Sequence, residues 1–457
     1  MSSRLVTSIG VALAMAFAGR AVYGAGPAGS EPRPLGKETP GYGAFLAPAM
    51  DPAEPIAEPT GHLTLREVLA LALKANPELA PFSREIRARE AAVLQARLFP
   101  NPELSVTAAN LGNAVVKDFD GPQTTVSLSQ LILLGGKRAR GIAVAGLDRD
   151  LAAWDYETKR MDVLTRAAQA FVEVLSAQEG LALANDLMAL AERVVEAAAA
   201  RVRAGKVSPV EETRARVTLA SVKIEQARAA LELEAARKRL AATWGSTIPR
   251  FQTAEGKLDQ VLPIPTLEGL IRRLTQNPDL ARWAAELAQR QAAIDLEESR
   301  AVPDLTVSLG VTQFTDTDDS ALVAGVSIPL PVLNRNQGNI EAAHQRLTKA
   351  MEERRAAEVL VTTALNSAYQ SLAAAHAEVT TLRQEVLPGA QSAFEAVSRG
   401  YRLGKFGFLD VLDAQRTLFG AKAQYLRALA SYHQAVAEVE RLIGEPVEAA
   451  RSLEESR

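Results

Sequence analysis

The feature that most constrains this chain is that it repeats itself. Asn76-Pro77-Glu78-Leu79 recurs as Asn277-Pro278-Asp279-Leu280, and Pro102-Glu103-Leu104-Ser105-Val106-Thr107 as Pro303-Asp304-Leu305-Thr306-Val307-Ser308. Arg203-Ala204-Gly205-Lys206 has its counterpart in Arg402-Leu403-Gly404-Lys405, and Trp244-Gly245 in Ile443-Gly444. All these matches lie at one nearly constant offset of about 200 residues, which marks a duplicated structural unit. Whatever one half folds into, the other half must fold into a variant of it.

Each copy runs through the same order of hydrophobic periods. A helix comes first, over about 64 to 98 with an Asn-Pro break, and over about 266 to 300 in the second copy. Two short alternating stretches follow. Leu104, Val106 and Ala108 alternate with Ser105 and Thr107, and Val126 and Leu128 with Ser127 and Ser129. In the second copy Leu305, Val307, Leu309 and Val311 alternate with Thr306, Ser308 and Thr312, and Val326, Ile328 and Leu330 share a face opposite Ser327. Pro329 and Pro331 must then sit at the strand's end, because proline cannot donate to a ladder. Alternation of this length fits either a membrane-spanning strand or a half-buried soluble hairpin.

Next in each copy comes a proline-free stretch rich in Ala, Leu, Glu and Arg, read as one helix over 137 to 204, on the order of 100 Å long at 1.5 Å per residue. A turn at Gly205-Lys206-Val207-Ser208-Pro209 reverses it, Pro209 being suited to a first helical turn, and the return helix runs to about Ala242. The second copy repeats this over 339 to 403, a turn at Gly404-Lys405-Phe406-Gly407, and 408 to 442, with a kink expected at Pro388-Gly389. Small apolar residues at heptad-like spacing suit closely paired helices. If the strands span a membrane, four per chain cannot close a barrel, and open edges are not tolerated in lipid. Several copies must therefore pool their strands; two would give eight and three twelve, and both are possible barrels.

The ends of the chain are of a different kind. Arg4 followed by the apolar run Leu5 to Ala18 and small residues reads as a signal peptide, 1–25, with cleavage after Ala25 or Ala21. A Pro/Gly-rich arm occupies 26–60, the repeats 61–260 and 261–445, and a tail 446–457. Beyond the signal segment no apolar run is long enough for a transmembrane helix. With 0 Cys, disulfides, thiolate metal sites and N-terminal lipidation on cysteine are excluded. A net charge of −3 argues against a nucleic-acid surface.

The stretch Gly400-Tyr401-Arg402-Leu403-Gly404-Lys405, followed by Phe408-Leu409-Asp410-Val411-Leu412-Asp413-Ala414, resembles the second helical-hairpin turn of the TolC family of outer-membrane efflux proteins. Leu128-Ser129-Gln130 through Leu134-Gly135-Gly136-Lys137-Arg138, and Ile328-Pro329-Leu330 through Asn334-Arg335-Asn336-Gln337-Gly338, resemble its CzcC-like heavy-metal branch. The resemblance covers most of the chain beyond residue 60. It implies a mixed α and membrane-β fold: a homotrimer with a twelve-stranded outer-membrane barrel, four strands per chain, continued by a long α-helical barrel through the periplasm. It also implies a periplasmic adaptor protein and an inner-membrane RND pump as partners, with heavy-metal cations as cargo. Multidrug efflux and type I secretion are the nearest alternatives, and a soluble periplasmic coiled-coil scaffold a distant one.

By the same resemblance, Asp410 and Asp413 match paired aspartates that ring a periplasmic constriction, Tyr401 matches a gate tyrosine, and Glu211 falls at a gate aspartate. A ring of carboxylates would favour cations. Read without the family, both aspartates are ordinary first-turn residues facing a helix dipole. Phe406 stands where the family has a gate arginine, for which Arg402 or Lys405 are candidate substitutes. Gly205, Lys206, Gly404 and Lys405 would be the tips that meet the adaptor, besides reversing the chain.

Enzyme readings find little support. Gly135-Gly136-Lys137-Arg138 lacks the first glycine and the hydroxyl of a phosphate loop. Glu341-Ala342-Ala343-His344 has the spacing of a di-iron site, but no second copy of that motif exists in the chain. With 4 His and no Cys, no resident metal site and no cofactor are expected.

Overall fold

A computed structural model describes residues 58–110 and 121–447. The expected signal peptide, nearly all of the arm, and the tail beyond 447 lie outside the described residues. In chain order the first copy comprises β1 (Gly61–Thr64), α1 (Leu65–Ala75), α2 (Leu79–Arg97), β2 (Glu103–Ala109), β3 (Gln123–Ile132), α3 (Lys137–Arg203), α4 (Pro209–Ala242) and β4 (Phe251–Glu255). The second comprises α5 (Leu267–Ile271), a 3-10 turn (Leu274–Gln276), α6 (Pro278–Arg300), β5 (Leu305–Phe314), β6 (Ser320–Ser327), α7 (Gln337–Thr381), a π turn (Leu382–Val386), α8 (Leu387–Arg402) and α9 (Phe408–Ile443). The described residues form two compact units, one built on 87–110, 121–149 and 287–349, the other on 58–86, 150–286 and 350–447.

The first unit carries one antiparallel sheet in the order β2-β3-β5-β6. Its register brings like beside like. Leu104, Leu128, Leu309 and Ala324 form one cross-strand row, and Val106, Val126, Val311 and Leu322 the next. The opposite face carries Ser105, Ser127, Gly310 and Val323, then Thr107, Thr125, Thr312 and Ala321, with a 2.7 Å hydrogen bond between the Thr125 and Thr312 hydroxyls. Gly310 is needed at its place, because a Cβ there would stand 2.7 Å from the carbonyl oxygen of Val126. The fourth strand is displaced from the expected stretch. β6 ends at Ser327, so Ile328 and Leu330 follow the strand instead of lining it; Pro329 and Pro331 cannot donate to the ladder.

Two loops in this unit turn the strands into the long helices. After β3, Gly135 and Gly136 take φ of 68° and 73°, and a Cβ on Gly135 would press on the carbonyl of Ser299. Asp304 anchors that turn, accepting from the amide of Leu134 at 3.0 Å and pairing with Lys137 at 2.6 Å. In the second copy the turn is built on Asn336 at φ 61°, whose side-chain amide donates to the carbonyl and carboxylate of Glu297, both at 2.8 Å.

The second unit holds the main core, in which Val68, Val163, Val174, Leu240, Phe251, Leu270, Leu372 and Ile443 are almost fully buried. Here the Asn-Pro motifs of the repeat acquire a physical role. Asn76 accepts from the amide of Glu78 at 2.8 Å, starting α2, and its side-chain amide donates to the carbonyl of Thr243 at 2.8 Å, finishing α4. Asn277 does the same between Asp279 and Leu442, at 2.7 Å and 2.8 Å. The partner glycines, Gly245 and Gly444, take φ of 81° and 76° just past the two return helices. One asparagine thus ends one helix and begins another in each copy.

The sequence reading missed the small parallel sheet of β1 and β4 and ran the first helix through 64. Thr64 is instead a helix cap: its hydroxyl accepts from the amide of Glu67, whose carboxylate accepts from the Thr64 amide at 2.8 Å.

Candidate functional site

Two surfaces carry functional information, and each belongs to a single unit. The first is the sheet. Leu104, Leu128, Leu309 and Leu322 on its apolar face are each more than half exposed, and Val106, Val126 and Val311 are exposed beside them. A sheet in water hides such a face; here it is exposed. The strands at its margins, β2 and β6, each pair on one side only. Among the described residues no helix is long and apolar enough to cross a membrane.

The second surface is the pair of helical turns, both in the second unit. They are built alike. The amide of Lys206 donates to the carbonyl of Arg201 at 3.0 Å, and that of Lys405 to the carbonyl of Gly400 at 2.8 Å, with Gly205 and Gly404 left-handed at φ 70° and 77°. All four expected tip residues, Gly205, Lys206, Gly404 and Lys405, are exposed. Beyond the first turn, Ser208 caps α4 and Pro209 opens it. Beyond the second, Asp410 supplies the cap, its carboxylate accepting from the amide of Gly407 at 2.8 Å. Asp410 therefore does the structural work of a first-turn aspartate, while both it and Asp413 stay exposed.

The structure brings Tyr401 to the first hairpin. Ala198 of α3, Ala215 of α4 and Phe408 of α9 form a small buried cluster, with Val194, Val195, Tyr401 and Leu412 packed against it. Glu211 lies one turn before Ala215 on α4, and its Oε2 is buried. Phe406 lies against Gly400, where a Cβ would collide with its ring, and the candidate substitutes Arg402 and Lys405 are exposed. The cation that reaches Tyr401 is Arg201, its guanidinium carbon 4.3 Å from the ring centroid. Sequence reasoning passed over Arg201, because a basic residue in the last helical turn is ordinarily explained by the dipole.

Asp413 lines a cavity of about 1200 Å³ with Leu187, Val222, Arg416, Phe419 and Arg427. Glu173 and Glu232 on the same wall are paired to Arg239 at 2.8 Å and 2.6 Å, so little net charge remains to hold a cation. Among the described residues no group of three or more His, Asp or Glu side chains is placed to bind a metal ion. One face of α4 is unpartnered: Val210, Val217, Ile224 and Leu231 recur every seventh residue, each more than half exposed. The exposed Thr213, Ala220 and Ala227 stand between them, completing a heptad seam.

The profile of the outer membrane efflux protein family matches residues 68–246 and 271–445, one segment in each copy of the repeat. This chain belongs to that family. It is 40% identical to the cobalt-zinc-cadmium resistance protein CzcC of Cupriavidus metallidurans, over 85% of this chain and 91% of that protein. It is 26% identical to the nickel-cobalt-cadmium resistance protein NccC of Alcaligenes xylosoxydans, over 72% of this chain and 74% of that one. Among solved structures, CusC superposes with a TM-score of 0.70 at 16% identity, covering 83% of this chain and 92% of that one. The fold is therefore that of the TolC-type channels. A family of passive efflux channels also accounts for the lack of catalytic chemistry in the sequence.

Proposed function

We propose that this protein is the outer-membrane exit duct of a tripartite efflux system for heavy-metal cations, assembled as a homotrimer. The observation that carries the choice of cargo is the 40% identity to a cobalt-zinc-cadmium resistance protein over 85% of the chain. The assembly is supported by the sheet, whose exposed apolar face suits lipid and whose unpaired margins need strands from other copies. Three copies would pool twelve strands. The heptad seam on α4 offers a surface for a helix of a neighbouring copy.

In this reading the helical turns form the inner end of the duct. Tyr401 and Glu211 hold the second hairpin against the first, Asp410 and Asp413 bring carboxylates to the constriction, and the Gly205-Lys206 and Gly404-Lys405 tips meet a periplasmic adaptor. The adaptor joins the duct to an inner-membrane RND pump, which supplies both energy and ion selectivity. No metal is held in the duct; cations pass through as cargo.

The test is metal tolerance in cells lacking the gene, scored for zinc, cobalt, cadmium and nickel beside a panel of organic drugs. Sensitivity to one or more of these cations, reversed by the intact gene, is the expected result. Sensitivity confined to drugs would overturn the cargo and leave the duct.

A further inference from the structure

Three polar atoms near the hairpin turns are buried without a hydrogen-bond partner among the described residues: Nη1 of Arg201, Oε2 of Glu211 and the hydroxyl of Tyr401. They come from three helices, α3, α4 and α8. Arg201 lies three residues beyond Ala198, Glu211 four residues before Ala215, and both alanines belong to the buried cluster that receives Tyr401. The Arg201 guanidinium already lies 4.3 Å from the Tyr401 ring centroid. Glu212, next in line, is paired with Arg216 at 2.6 Å, whereas Oε2 of Glu211 has no hydrogen-bond partner among the described residues.

A buried charge without a partner is costly, and a buried donor without an acceptor only somewhat less so. Here a cation, an anion and a phenol with unmet needs share one small region, and each supplies what the others lack. Arg201 and Glu211 have long side chains, and rotation about their torsions closes such a network without moving a helix. In the second hairpin Phe406 is folded onto Gly400, and Arg399, Arg402, Lys405 and Arg416 are all exposed.

We infer that Arg201 is the cation of a three-residue lock, resting on the face of Tyr401 and donating to Glu211, which also accepts from the Tyr401 hydroxyl. The inference rests on the gate reading above and adds to it the residue that holds the gate shut. α3 and α4 supply the ion pair and α8 the aromatic lid. Separating α8 from the first hairpin exposes the pair and removes its stacking partner, so the closed arrangement is favoured until a partner protein contributes compensating contacts.

The experiment is conductance of the purified full-length protein in planar bilayers, comparing the wild type with Arg201→Ala, Arg201→Gln, Arg201→Lys, Glu211→Gln and the double change Arg201→Ala with Glu211→Gln. Arg399→Ala, an exposed arginine on α8 outside the cluster, serves as control. The lock predicts at least a tenfold rise in open probability for Arg201→Ala and for Glu211→Gln, no further rise in the double variant, a smaller rise for Arg201→Lys, and none for Arg399→Ala. Should Arg201→Ala fail to assemble, Arg201→Gln keeps the stem and is read in its place. If Glu211→Gln opens the channel while both Arg201→Ala and Arg201→Gln match the wild type, the gate stands and Arg201 has no part in it. Additive opening by the two changes would equally overturn a shared lock. No conductance from the wild type or any variant would remove the duct itself, and the lock with it.

Discussion

In the first copy of the repeat, α3 runs 67 residues from Lys137 to Arg203 without interruption. In the second, α7 gives way after Thr381 to a five-residue π turn, and α8 resumes at Leu387. The cause is local. Pro388 has no amide to donate and its ring crowds the carbonyl four residues earlier, so the helix widens and the amide of Leu387 bonds back to the carbonyl of Leu382. Aligning Arg402 with Arg203 places Ala189 opposite Pro388, a residue that keeps the ladder intact. The turns differ as well, with a Ser208 and Pro209 cap in one and Gly407 capped by Asp410 in the other. What the copies share is the scaffolding, namely paired asparagines, left-handed glycines and strand register. The interruption of the long helix belongs to the second copy alone.

The largest expected effect tests a symmetry. Leu128 and Leu309 face each other in adjacent strands, one from each copy. Arginine at either site should lower the stability of the membrane-inserted protein by about 2–4 kcal/mol, equally within error. Arginine at Ser127, on the opposite face, should cost far less. Refolding into detergent or lipid with urea titration reads all three, and tolerance at both leucines would break the assignment of that face to lipid.

The asparagines sharpen the comparison next. Asn277 is fully buried and Asn76 nearly so. Asn277→Ala strands the carbonyl of Leu442 and the amide of Asp279, and should cost about 2–3 kcal/mol, against about 1–2 kcal/mol for Asn76→Ala. Denaturation midpoints would show the order; equal losses would mean that burial does not distinguish the copies.

How much of this was legible is best seen in particular elements. The bounds of α3 and α4 were readable to within a residue, because turn glycines and a proline punctuate a long proline-free stretch. The polarity of the sheet faces was legible in the Leu-Ser-Val-Thr alternation. β1 and β4 were not, since they are four and five residues long, pair His62 with Thr253 across 191 residues, and carry no clean period. The kink at Pro388 was expected at the proline itself, but the widening falls on the turn before it, where the displaced carbonyl sits. The proposed gate residues were suggested only by family resemblance. Arg201 was illegible, because its significance lies in which ring it covers.

Hydrogen exchange probes the interrupted helix directly. Amides at 382–390 should exchange about tenfold faster than those at 183–191 of α3, a difference of ~1.4 kcal/mol in opening free energy, and Pro388→Ala should narrow the gap. The smallest effect concerns Glu78, whose carboxyl is held down to about 2 by hydrogen bonds first from Arg166 and then from Lys159. A depressed carboxyl stabilises the fold above its ordinary value near 4.5 and loses that contribution as pH falls toward 2. The pair is well exposed, so Glu78→Gln should cost about 0.5 kcal/mol or less at neutral pH and flatten the acid limb of the stability profile.

The central claim is that neither copy, nor one chain, completes the wall: the β2 and β6 margins must be closed by other copies of the same chain. Native mass spectrometry of the protein extracted in detergent tests this most directly. The account predicts an assembly of three chains that needs detergent to stay in solution. A single chain, stable and soluble without detergent, would contradict it.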